Sequence, residues 1–194
     1  MCSAKPRSDF IPPLVNFITG LAKEGERALV IGGAARLDVA LERLLKSVTR
    51  HTAGGRDDLF DPERPLGTFS AKIALAYRLG LLEDHVEKAL HLVRKVRNDF
   101  AHATTKVNLS ESAHQNRLSE ITKCVRECPI HERLRRSCEK EFPQISEFSA
   151  SLLLALIILV TVIELSADSA KPMSDIYTAD TRKLIEPPLT DQVS

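Results

Sequence analysis

The chain has 194 residues, enough for one domain with a substantial core. Twenty-seven basic and 26 acidic residues leave a formal net charge of +1, which removes any global electrostatic case for nucleic acid or an acidic membrane surface. Tryptophan is absent and 5% of residues are aromatic, so aromatic platforms for stacking bases are not expected.

Residues 1–10 read as a loose tail. Pro6, Asp9, Pro12 and Pro13 stand where a secretory signal needs an apolar run, and four cysteines without such a signal read as reduced thiols in a cytoplasmic protein. Pro12 and Pro13 suit the first turn of a helix whose stripe is Leu14, Phe17, Ile18 and Leu21. Gly25 breaks the chain. A long helix is then predicted from Glu26 to Thr49, with Val30, Gly33, Leu37, Ala40, Leu41, Leu44 and Val48 on one side. Within it, Gly32-Gly33-Ala34-Ala35 lacks the Lys-Ser/Thr of a phosphate loop and reads as a close helix contact.

Residues 51–67 form a loop rich in Gly, Asp and Pro. Thr68 caps the next helix, which carries Phe69, Ile73, Ala76 and Tyr77, and Gly80 ends it. Glu83 and Asp84 suit the amino end of a helix from Glu83 to Ala103, whose apolar face is Val86, Ala89, Leu90, Val93, Val96 and Phe100. At 100° per residue Arg97 falls inside that apolar arc, while Arg94, Asn98 and His102 line a second face. A guanidinium turned toward a core needs a partner.

A helix from Ser112 to Cys128 is expected to turn Leu118, Ile121 and Val125 inward, and Pro129 and Pro143 bound a charged segment. From Phe148 to Ile163, 16 residues carry no charge, flanked by Glu147 and Glu164 without basic anchors. A spanning helix needs about 20 apolar residues, so the run is read as a helix buried all round, and a membrane partner is not expected. No segment alternates with period two. The expectation is an all-α, antiparallel helical bundle: one domain over residues 11–165, with tails at 1–10 and 166–194.

Several stretches, in this order, resemble the mannitol operon repressor family. They are the helix from Arg27 to Leu45, then Leu59-Phe60-Asp61-Pro62, then Pro65-Leu66-Gly67-Thr68-Phe69-Ser70-Ala71-Lys72-Ile73, then Ala76-Tyr77-Arg78-Leu79-Gly80-Leu81-Leu82, and Arg94-Lys95-Val96-Arg97-Asn98-Asp99-Phe100-Ala101-His102. The resemblance implies an all-helical fold and repression of a sugar-alcohol operon. No helix-turn-helix with a basic exposed second helix is present to read DNA. Repression is therefore expected to act through a protein partner, with RNA or DNA left open and a homodimer through apolar helix surface.

Arg97-Asn98 followed at His102 also resembles the Arg-polar-x-x-x-His signature of HEPN helical-bundle proteins, many of them metal-independent ribonucleases that work as dimers. In that reading His102 is the general acid or base, Arg97 holds the phosphate and Asn98 orients it. The structural alternative pairs Arg97 with Asp38 or Glu42, sets His102 against its helix dipole, and bonds Asn98 to a carbonyl of the 51–67 loop. The structural alternative is preferred, and with it a noncatalytic regulator.

Cys124, Cys128, His131 and Cys138 match no standard zinc spacing, so neither metal nor cofactor is expected. Lys123 to Lys140 holds six basic and three acidic residues, a local charge of +3. Arg133, Arg135 and Arg136 there, with Arg94, are the candidate contacts to phosphate or to an acidic partner.

Overall fold

The computed structural model describes residues 11–50 and 58–172. The tail expected at 1–10 and most of the one expected from 166 lie outside them. Among the described residues there are seven α-helices and no strand. They are α1 (Ile11–Glu24), α2 (Glu26–Val48), α3 (Phe69–Arg78), α4 (Asp84–His102), α5 (Ser112–Val125), α6 (His131–Glu141) and α7 (Glu147–Ser169).

Local chemistry accounts for most of the boundaries. Gly25 sits at φ 117°, a backbone few other residues adopt, and lets α1 fold back on α2. Thr68 caps α3 by accepting from the Ala71 amide at 3.1 Å. Gly80, at φ 69°, closes that helix as its amide donates to the Tyr77 carbonyl. Ser146 caps α7 through the Ser149 amide. That helix continues to Ser169, past the boundary expected at residue 165.

The core is organised on α2 and α7. Leu152 to Val160 are all buried, which requires neighbours on every side of α7. By length and composition α7 could cross a membrane, yet 72% of its apolar window is buried inside the bundle. The small-residue patch on α2 makes its close approach possible. A Cβ at Gly33 would stand 2.3 Å from Leu156 Cδ1, and one at Gly32 would stand 2.6 Å from Leu21 Cδ1.

The bundle is all-α as expected, but its central pair runs parallel. Glu26 meets Ser149, Gly33 meets Leu156 and Arg43 meets Glu164, so positions rise together along the two helices. Short loops impose antiparallel packing only on chain neighbours, and α2 and α7 are not neighbours. Near the carboxyl end of this pair, Glu164 is 3% exposed and is gripped by Arg36 at 2.6 Å and by Arg43, which also binds Asp168.

The α4–α5 pair is antiparallel and latched twice. Lys88 bonds Glu120 at 2.7 Å, and Asp99 accepts from Arg117. Buried His114 joins the second latch, with Nε2 3.2 Å from Asp99 and Nδ1 2.9 Å from the Asn108 carbonyl. The Arg117 guanidinium holds the Asp99 carboxyl below its usual range against the opposing effect of burial, with His114 adding to it. Lys123 and then Lys88 hold Glu120 down to about 2.

Both folded-state values lie below the unfolded ones. Their stabilisation is therefore complete above the unfolded pKa, about 4.5 for Glu120, and is lost as pH falls toward about 2. We expect the melting temperature to fall across that window. An Asp99→Asn variant should show a shallower fall, and an unchanged acid limb would rule out this latch.

Candidate functional site

Three of the residues singled out near the end of α4, Arg94, Arg97 and Asn98, border an open cleft of about 560 Å³ between α2, α3 and α4. One wall is Ile31, Ala34, Ala35 and Asp38 of α2. Another is Gly67, Thr68, Phe69 and Ser70 at the start of α3, and the third is Arg94, Arg97 and Asn98.

Local folding sets this shape. Phe60 and Leu66 bury themselves, the Leu66 amide donates to the Leu59 carbonyl at 3.2 Å, and Lys46 Nζ stands 4.9 Å from the Phe60 ring centre. The chain then passes so close to itself at Gly67 that a Cβ there would lie 2.3 Å from the Asp61 carbonyl oxygen. That tight passage delivers the first turn of α3 to the cleft.

Arg97 corrects the expectation of a core-facing guanidinium. It is exposed, and its Nη1 donates to Asn98 Oδ1 at 3.1 Å. Although its helical angle lies inside the apolar arc, its long side chain bends outward to water. The partners expected for it serve Lys72 instead. Lys72 is 2% exposed on α3, and its Nζ lies 2.8 Å from Glu42 Oε2 and 3.1 Å from Asp38 Oδ2. Burial pushes Glu42 up, but the hydrogen bonds from Lys46 and Lys72 outweigh it and leave the carboxyl below its ordinary range. Asn98 likewise bonds its neighbour Arg97 in place of a loop carbonyl.

His102 is exposed as the last residue of α4 and does not border the cleft. Five residues of helix separate it from Arg97 by about 7.5 Å along the axis and about 140° around it. The structure therefore brings Arg94, Arg97 and Asn98 together and leaves His102 beyond the rim. Arg94 carries a further peculiarity. Its Nε is buried and has no hydrogen-bond partner, as is true of Asp38 Oδ1 in the opposite wall.

The basic segment on α6 is largely neutralised from within. Arg135 bonds Glu132 and Glu139, and Arg136 bonds Glu132 at 3.2 Å. Arg135, chiefly, pulls Glu132 down to about 2. Arg133 is exposed and makes no ion pair among the described residues. The cysteines divide between two clefts: Cys124 and Cys128 share one with His85, whereas His131 and Cys138 line another. Burial raises the Cys138 thiol to about 11 and raises Cys124 as well, so both are held as thiols.

Sequence reasoning missed Lys72 and named Asp38 only as a partner for Arg97. A lysine beside Ile73 and Ala76 on a short helix was the available signal, and it became meaningful only with Asp38 and Glu42 opposite.

No protein-family model matches the sequence, and no curated protein matches it. Among solved structures, a chain described as "X-ray structure of the MtlR-HPr complex from Escherichia coli" is similar, with a TM-score of 0.62 and 18% sequence identity. The match covers 81% of this chain and 99% of that one, and it shows a shared helical fold.

Proposed function

We propose that the protein is a noncatalytic, cytoplasmic transcriptional regulator of the mannitol-operon-repressor type, working as a homodimer that binds a protein partner. The observation that carries this reading is the fold match to nearly the whole of a chain from the MtlR–HPr complex. The resemblance of the sequence from about residue 20 to 103 supports it independently of that match. Val39 on α2, 57% exposed, and Val162 on α7, 39% exposed, are apolar surface of the kind a second copy would cover. The reading calls for no metal, cofactor or membrane.

Calorimetric titration of the purified full chain with the HPr protein of the same organism tests the proposal. We expect saturable binding, weakened several-fold by Arg97→Ala with the melting temperature unchanged. Absence of binding at concentrations of order 100 μM would remove an HPr-type partner.

The ribonuclease reading keeps one observation in its favour, the placing of Arg97 and Asn98 at a donor-rich cleft. Its test is incubation of mixed cellular RNA with wild type and His102→Ala in EDTA. Wild-type cleavage that the variant lacks, leaving 2′,3′-cyclic phosphate ends, would replace the regulator reading.

A further inference from the structure

His114 is 2% exposed, and its ring bridges α4 and the turn that precedes α5. Nδ1 lies 2.9 Å from the Asn108 carbonyl oxygen and 3.8 Å from Glu111 Oε2. Nε2 lies 3.2 Å from Asp99 Oδ2. A carbonyl oxygen can only accept. Asp99 can only accept too, because Arg117, chiefly, holds its carboxyl below the usual range and so keeps it ionised. A neutral imidazole carries one N–H and one lone pair, so either tautomer would set a lone pair against an acceptor. Turning the ring over would put carbons in place of both nitrogens and lose both bonds. The imidazolium, with two N–H groups, satisfies both contacts.

The surrounding charges agree. Asp99 faces the ring from α4 and Glu111 from the N-cap of α5, while Arg117 of α5 binds the same Asp99 oxygen. With the ring protonated, two cations and two carboxylates cancel. With a neutral ring, one negative charge is left over.

The ring holds more than its own helix. The Leu109 amide donates to Glu26 Oε2 of α2 at 2.7 Å, and the Asn108 amide donates to Glu111 Oε1 at 3.2 Å. Among the described residues, the hydrogen-bonded link from this turn across to the α4 side chains runs through His114. A neutral ring keeps one of its two bonds and breaks the bridge.

We infer that His114 is a buried imidazolium and a proton-sensitive latch, holding the 103–111 connection against α4 while doubly protonated and releasing it as pH rises. Its stabilisation is complete where the ring is protonated in the folded and unfolded chain alike, and is lost toward alkaline pH. That sign is opposite to the carboxylate latches of α4 and α5, which weaken in acid. The latch stands apart from the protein-partner reading and holds or fails independently of it.

The test is heteronuclear magnetic resonance of the nitrogen-labelled full chain, the His114 ring signals being those that vanish in His114→Gln. At about pH 5.5 both ring nitrogens should carry protons, and toward about pH 9 one N–H should be lost. The backbone amide signals of Asp99 and of residues 103–111 should shift along the same titration curve. Asp99→Asn should move that curve to lower pH and Arg117→Gln to higher pH, with circular dichroism confirming that each is folded. A ring whose proton count is the same at both pH values overturns the inference. So does proton loss that leaves the 103–111 amides unmoved, or a curve that neither variant displaces.

Discussion

Phe100→Ala is expected to lower the free energy of unfolding by about 3–5 kcal/mol, as is usual for emptying an aromatic position in a packed core. Phe100 is 1% exposed, and its ring stands 5.4 Å from the His114 ring at an interplanar angle of 51°. Deleting it removes apolar burial and also strips the packing from a histidine that helps hold Asp99 between α4 and α5. His102→Ala, two positions on and exposed, should stay within about 0.5 kcal/mol of wild type. Chemical denaturation followed by circular dichroism measures both. A Phe100→Ala loss below about 1 kcal/mol would contradict the packing of α4 against α5 described above.

The second large effect belongs to the buried carboxylate of α7. The double substitution Arg36→Ala with Arg43→Ala should cost about 3–5 kcal/mol, because it leaves an ion in the core with no countercharge. The Glu164 side chain is 4% exposed beneath these two arginines. The reverse deletion is milder. After Glu164→Gln the arginines, 26% and 49% exposed, turn to solvent, and we expect about 1–2 kcal/mol. The asymmetry is the test. If Glu164→Gln proves the more damaging change at neutral pH, the carboxylate is not the group whose burial governs this cluster.

Both predictions concern positions that the sequence presents unequally. Phe100 closes the apolar stripe Val86, Ala89, Leu90, Val93 and Val96, and all six residues are buried as that periodicity requires. Glu164 follows an uncharged run and looks like the point where burial stops. The structure buries it, because two arginines of α2 lie about two turns apart on the facing helix and reach it from there. Nothing local to residues 160–168 announces those partners.

The candidate site was legible to the same extent. Arg94 and Asn98 share a face by their four-residue spacing, and both border the cleft. Helical angle alone puts Arg97 inside the apolar arc, yet its side chain lies exposed to water. The difference was made by Lys72, which occupies Asp38 and Glu42 from α3 and leaves Arg97 no buried partner. On α6 the count of basic residues suggested a positive patch, yet acidic residues three and four positions away on the same helix bind Arg135 and Arg136.

By itself the sequence determined most of the helices, the cap at Thr68, the stop at Gly80, the close-packing patch at Gly32 and Gly33, and the burial of the apolar run of α7. These follow from spacing and backbone chemistry within a few residues, where chain connectivity already fixes the geometry. The parallel course of α2 and α7, the burial of Glu164 and the assignment of Asp38 to Lys72 were decided only by the tertiary structure. Each joins groups from different helices, and which charge meets which, and which is left unmatched, depends on distances that no local periodicity encodes.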